Sequence, residues 1–434
     1  GKFLLVDKAP FSCKIKRSGG VVVKRIVMHC EERVTKVALL DGGKLTDYFV
    51  QATDAAQTVG NIYKGRVVNV LPGMQAAFVD IGQEKNAFLY INDLLPAHLE
   101  KQPNPKPSIT ELVRSGQEIV VQVAKEAVGS KGARVTTHYS IPGRWIVYMP
   151  EADYVAISRK IEADDERARL KRIAESLRRP GEGIIVRTVA DGATQEAIRS
   201  DLEFLRELWD SIRGAVQSAA APAELYRELD LIPRVIRDMF TDEVSDIVID
   251  SQRFAKEASA YLGRISPELA DRVRYVPASE RVFDRFNVKE QLDQLFRPKV
   301  WLDSGAYLVI ERTEALTVID VNTGKFTGSV DLEETVFAAN LEAAEMIARL
   351  MRLRDMGGII IVDFIDMDEE RHREQILRRM EELVRQDRTK CVAVGWTKLG
   401  LLEMTRKKVR EPIDTSAAGI CPHCMGTGKV PDRG

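Results

Sequence analysis

Two short apolar runs in this chain end in acid: Leu316-Thr-Val-Ile-Asp320-Val-Asn322 and Ile359-Ile-Ile-Val-Asp363-Phe-Ile-Asp366. Brief, β-branched runs of this kind predict strands buried on both faces, and a carboxylate at the end of such a strand stands over the sheet's edge. Two carboxylates held together repel unless a cation lies between them. Their oxygens suit Mg²⁺, which keeps several waters and completes its shell with a phosphate substrate. Asp320 and Asp363 are therefore candidate metal ligands for phosphoryl chemistry, with Asn322 and Asp366 beside them. The plainer alternative is that each acid caps a turn or helix.

The elements that must position these acids follow from the residues between them. Val336, Phe337, Ala339, Leu341, Ala344, Ile347 and Leu350 recur at helical spacing, which predicts one long helix over Leu332 to Arg354. A strand, a long helix and a second strand bring Asp320 and Asp363 side by side although more than forty residues separate them. The stretch Asn322-Thr-Gly-Lys325-Phe326 is not a phosphate-binding loop, because it lacks the glycine five residues earlier and the Ser/Thr metal ligand.

At 434 residues the chain can bury more than one core, and two to four domains are expected. A net charge of -1 excludes a uniformly basic nucleic-acid binder but leaves room for local basic patches. No apolar run approaches a membrane span, and five cysteines with one close pair do not build a disulfide framework. A cytoplasmic protein is expected. Residues 1–23 lack a clear period and are read as an unstructured extension.

Residues 24–56 form a β-rich meander too small to fold alone. Residues 57–140 read as a small all-β barrel, with short alternating runs punctuated by Gly73, Gly82 and Gly116. The order of runs resembles the OB-fold, a module that binds single-stranded RNA through aromatic and basic side chains; Phe78, Phe88, Lys125 and Lys131 are its candidate contacts. A Phe at an alternating strand position also serves as core. In residues 141–221, Arg187 and Thr188 end a strand and offer a guanidinium and a hydroxyl to a terminal phosphate. A helix is expected over Pro222 to Phe240, and Asp246 and Asp250 flank a following strand, raising a second carboxylate site. Residues 222–297 are expected to complete the early meander.

Beyond the central acids, Glu369 to Gln386 is expected as a helix carrying Arg371, Arg378 and Arg385 on one face, and Lys398 and Arg406-Lys407-Lys408 extend the positive charge. This track could neutralise a nucleic-acid backbone or be a solvated surface. In the tail, Cys421-Pro-His-Cys424-Met-Gly-Thr-Gly supplies half of a tetrahedral zinc set, best completed by the same pair in a second subunit. A redox pair is the alternative.

Taken together, Asn61-Ile-Tyr-Lys-Gly, Gln75-Ala-Ala-Phe-Val-Asp, Ile184-Ile-Val-Arg-Thr, Val318-Ile-Asp-Val-Asn, Val362-Asp-Phe-Ile-Asp-Met, Leu399-Gly-Leu-Leu-Glu-Met-Thr-Arg and the Cys421 motif resemble the ribonuclease E/G family, in its compact form without a long scaffold. The resemblance implies a Mg²⁺-dependent endoribonuclease that cuts single-stranded, AU-rich RNA, leaves 5′-phosphate and 3′-hydroxyl ends, and serves ribosomal-RNA processing and messenger decay. It places Asp320 and Asp363 on Mg²⁺, Asn322 and Asp366 beside them, and Phe78, Phe88 and Lys131 on RNA. Arg187, Thr188 and Val147 would form a 5′-end sensor, with Lys390 where an arginine is common. The fold it implies is α/β and multidomain. A ribonuclease-H-like domain (24–56 and 222–297) receives the OB-fold (57–140) and the sensor (141–221), and a deoxyribonuclease-I-like catalytic domain (298–411) and a zinc-link tail (412–434) follow. The partners it implies are RNA and a second copy joined through zinc, extending to a higher oligomer. A non-catalytic RNA-binding protein is the competing expectation.

Overall fold

The computed structural model describes residues 23–52, 58–96, 107–127, 131–241, 243–313, 315–324 and 332–408. Two compact units emerge: one takes the chain up to Gln51, Glu243–Ala255 and everything from Arg272, and the other takes Ala52–Asp242 and Lys256–Asp271.

The first unit contains two sheets. In one, the antiparallel strands Lys24–Cys30, Val34–Asp41 and Lys44–Ala52 are joined by Val244–Ile249, which runs parallel to Lys24–Cys30, and then by Val273–Tyr275. The apolar residues of Lys24–Cys30 are contiguous (Ile26, Val27, Met28) and all fully buried, as a central strand requires.

The second sheet has six strands in the order Lys299–Trp301, Tyr307–Arg312, Leu316–Asn322, Gly358–Asp363, Leu402–Arg406, Cys391–Trp396. A long helix, Leu332–Leu353, links its two central strands, which run parallel, as a crossover connection demands. Alanines at 339, 343 and 344 are buried along that helix and allow close approach to the sheet. A second helix, Glu370–Arg385, adds Ile376, Met380, Leu383 and Val384 to the same core. Burial on both faces of the central strands is not found. In Leu316–Asn322 it alternates strictly, with Thr317, Ile319 and Val321 buried and Leu316, Val318, Asp320 and Asn322 only half-buried. The helices cover one face and leave Ile359 and Val394 exposed on the other.

The second unit is built around a closed barrel. Strands Ile62–Leu71, Ala76–Asp80, Ala87–Tyr90, Arg134–Thr136 and Glu118–Lys125 follow one another around it, and the last returns to the first through Ile62↔Gln122 to Arg66↔Glu118. This circuit, in which Ala87–Tyr90 and Arg134–Thr136 pair in parallel, is OB-like. Gly65 permits the crowded corner: a Cβ there would stand 2.6 Å from Val79 Cγ1 and 2.8 Å from the Asp80 carbonyl oxygen. The helix expected over Pro222 to Phe240 is instead a strand, Ala223–Tyr226, paired to Ile62–Leu71, followed by a shorter helix, Leu231–Met239. A four-stranded sheet carries Ile146–Met149 and Gly183–Val186, beside the helices Asp164–Leu177 and Gln195–Ser218.

Candidate active site

Asp320 takes a half-buried position in the alternation of its strand, between buried Ile319 and Val321, so its carboxylate lies on the open face of the six-stranded sheet. The parallel pairing of its strand with Gly358–Asp363 sets Asp320 directly opposite Asp363. Asn322, two residues on and on the same face, donates from Nδ2 to Asp320 Oδ2 at 2.8 Å. Burial, then the charges of Asp320 and Asp366, push the Asp363 carboxyl above its ordinary range. A like-charged pair of this kind is a cation-seeking donor set.

Asp366 is exposed in the loop after Asp363, and that loop is pinned from beneath. Asn340, fully buried on the linking helix, accepts the Ile365 N–H at 3.0 Å and donates to the Ile365 carbonyl at 2.8 Å. Glu333 accepts the N–H groups of Asp368 and Glu369 and pairs with His372 at 2.8 Å, anchoring the next helix. Neither Asn340 nor Glu333 stood out in the sequence, where each looks like one polar position on a helix. Among the described residues no group of three or more His, Cys, Asp or Glu is arranged to hold a metal. Mg²⁺ does not require a third acidic ligand, since one or two carboxylates with water and phosphate suffice, and the Asp320–Asp363 pair fits it.

Two further acids and two cysteines among the described residues have structural roles. Asp246 pairs with Arg25 at 2.6 Å, and Asp250 accepts the Cys30 N–H at 2.8 Å and contacts His29, so both acids of the second carboxylate site raised by the sequence are engaged by neighbouring groups. Burial raises the thiols of Cys30 and Cys391 to about 12 and about 11, which leaves neither as a ready nucleophile. The basic track also changes character. Arg406 is buried and held by Asp387 at 2.8 Å and Asp355 at 2.6 Å, while Arg378 pairs with Glu374 and Arg371 with Glu369.

In the second unit, Phe78 and Phe88 face each other across neighbouring strands on the outside of the barrel, with ring centroids 5.9 Å apart. Both are half-buried and absent from the barrel's core, while Lys125 and Lys131 are exposed. Arg187 donates from Nη1 to the Gly143 carbonyl at 2.6 Å and pairs through Nη2 with Asp238 at 2.7 Å. Thr188 Oγ1 and Ser158 Oγ are 2.8 Å apart, and Val147 lies in the strand paired with Gly183–Val186. Asp201 accepts the N–H groups of Arg144, Trp145 and Ile146 and so fixes the turn whose carbonyl Arg187 holds. Asp238 carries no sequence signal as a partner for Arg187, because the two lie far apart along the chain. Lys390 is exposed in the first unit, whereas Arg187 belongs to the second. Cys421 and Cys424 lie outside the described residues.

The model of the ribonuclease E/G family matches residues 140–409. Ribonuclease G of Haemophilus influenzae is 42% identical over 412 residues, covering 93% of this chain and 84% of that protein. Ribonuclease G of Escherichia coli K12 is 41% identical over 401 residues, covering 91% of this chain and 82% of its own length. Ribonuclease E of the same bacterium is 38% identical over 421 residues, 95% of this chain but 39% of that longer protein. With a family match across most of its length and similarity of this extent, the chain belongs to the ribonuclease E/G family.

Proposed function

We propose that this protein is an endoribonuclease of RNA processing that hydrolyses single-stranded, AU-rich RNA with Mg²⁺ held at Asp320 and Asp363. The observation that carries the reading is the register pair Asp320↔Asp363, with Asn322 bonded to Asp320, in a chain of this family.

Bound Mg²⁺ would lower the pKa of water and stabilise charge on the phosphoryl oxygens. Asp320 and Asp363 would hold the cation, which would offset their mutual repulsion. Asn322, its amide N–H committed to Asp320, keeps the Asp320 carboxylate in one orientation and offers its amide oxygen to the substrate side. Asp366 adds negative charge that attracts the cation. Hydrolysis adds water oxygen to phosphorus and breaks the bond to the 3′ oxygen, which takes a proton, giving 5′-phosphate and 3′-hydroxyl ends. On the second unit, Phe78 and Phe88 stack bases and Lys131 contacts backbone. Arg187 and Thr188 hold a 5′-terminal phosphate with Val147 against the end base. On the first unit, Lys390 offers positive charge to RNA without the planar fork of an arginine.

Zinc at Cys421 and Cys424, completed by a second copy, would make a homodimer able to build a higher oligomer. Metal content and oligomeric state of Cys421→Ser, Cys424→Ser test this link. Among the described residues no helix is long and apolar enough to cross a membrane, which is compatible with work in the cytoplasm.

The experiment is cleavage of a short AU-rich single strand bearing either a 5′-monophosphate or a 5′-hydroxyl, with end analysis of the products. Cutting that needs Mg²⁺ and leaves 5′-phosphates supports the reading. Binding without cutting supports an RNA-binding protein instead.

A further inference from the structure

The open face of the six-stranded sheet carries one cluster that the mechanism does not use. Lys299 and Trp301 lie on its edge strand, and the pairing Trp301↔Tyr307↔Asn322 runs two rows from Lys299↔Val309↔Asp320↔Asp363, with Val300↔Leu308↔Val321 between. Residues in one row, and residues two apart along a strand, share a face. Trp301, Tyr307 and Lys299 are therefore on the face of Asp320, Asn322 and Asp363. The opposite face is accounted for by Val300, Leu308, Ile319 and Val321, all buried.

We propose that Trp301 and Tyr307 form a stacking platform for a nucleobase flanking the bond cut at Asp320 and Asp363, with Lys299 drawing in the adjoining phosphate. The inference rests on the cleavage site assigned above and deepens it.

Trp301 is 52% exposed and its ring centroid is 5.1 Å from that of Tyr307. A large ring so exposed, paired with a second and touched by a cation, is unusual packing and suitable base-stacking equipment. The Lys299 ammonium stands 3.5 Å from the Tyr307 centroid and 4.5 Å from that of Trp301, which preorganises positive charge against the aromatic faces. With strands about 4.8 Å apart, Tyr307 adjoins the Asn322 strand and Trp301 stands about 10 Å from it. That places the rings within the span of the nucleotides beside a phosphate held at the acids. The chain leaving Asn322 braces them: at Gly324, where φ is +58°, a Cβ would lie 3.0 Å from Tyr307 Cδ1 and 3.4 Å from Trp301 Cζ3.

The test is an abasic scan. A set of short single-stranded RNAs, each with one base removed near the cut, is cleaved by the wild-type protein, Trp301→Ala, Trp301→Phe and Tyr307→Ala. In the wild type one flanking position should lose about tenfold in kcat/KM when its base is removed. Trp301→Ala should lose about as much on intact RNA and nothing further at that position, while Trp301→Phe retains most of the wild-type profile. An abasic profile identical in wild type and Trp301→Ala overturns the proposal. The same scan by fluorescence anisotropy on Asp320→Asn reads stacking without cleavage. Should Asp320→Asn still cut, the cleavage-site reading fails while the anisotropy profile continues to judge the platform on its own.

Discussion

Asp320 and Asp363 occupy one register row on adjacent parallel strands, and Asn340, which pins the loop after Asp363 at Ile365, comes from the helix between those strands. One strand–helix–strand unit thus supplies both acids and the side chain that holds the loop carrying Asp366.

Asn340→Leu should orphan the Ile365 N–H and carbonyl inside the protein. Each unsatisfied buried group costs about 1–3 kcal/mol, so urea unfolding should register a loss of about 2 kcal/mol or more. Cleavage should fall as well, mainly in kcat, because Asp363 and Asp366 flank the released loop. An unchanged kcat with reduced stability would remove Asn340 from the positioning of the acids.

Much of this unit was legible in the sequence because its signals are local and repeated. The apolar period between the acids gives the linking helix, and strand–helix–strand chirality gives the parallel neighbours. Less was legible where the signal is a single residue. Lys299–Trp301 has three residues, too few for a period, so Trp301 carries no pattern that separates it from core. Arg406 was grouped with Lys407 and Lys408 by charge, whereas the alternation Leu402, Met404, Arg406, all buried, places it on the inner face. Asp238 meets Arg187 across fifty residues of chain, a distance at which one sequence carries no pairing information.

Asp238→Asn should strengthen the preference for a 5′-monophosphate. Burial alone would raise the Asp238 carboxyl, but the Arg187 and Arg237 guanidiniums outweigh it and hold the group below its ordinary range. In the proposed sensor, Arg187 would be shared between Asp238 and an incoming phosphate. Removing the competing charge should raise the monophosphate-to-hydroxyl rate ratio by about fivefold, equivalent to roughly 1 kcal/mol. A ratio that stays constant would exclude Arg187 from phosphate recognition.

Glu182 sets a pH-dependent part of the second unit's stability. Burial raises its carboxyl, yet Arg206, at 2.9 and 2.5 Å, with the Arg179 N–H and the Tyr148 hydroxyl, brings it below the ordinary glutamate range. A carboxylate lowered on folding stabilises fully above its unfolded value, about 4.3, and loses that contribution as pH falls through the folded value. Glu182→Gln should cost about 3 kcal/mol at pH 7 and flatten the acid limb of a stability–pH curve below pH 4. An acid limb as steep as the wild type's would assign it to other groups.

Phe78→Ala with Phe88→Ala should weaken RNA binding while sparing the fold, since neither ring belongs to the barrel core. Stacking is worth about 1–3 kcal/mol per base, so affinity for a short single strand should drop about tenfold or more, with circular dichroism unchanged. Equal affinity would leave the barrel's outer face without a role in binding.

The most direct measurement is a Mg²⁺ titration of cleavage by the wild type and by an Asp320→Asn, Asp363→Asn double variant, on the same single-stranded RNA and with RNA binding followed in parallel. The account predicts that the variant folds, binds RNA with near wild-type affinity, and loses cleavage by a factor of about a thousand or more. Cleavage by the variant at a comparable rate and Mg²⁺ dependence would contradict it, and the acids opposite one another in the sheet would then have to be explained by something other than catalysis.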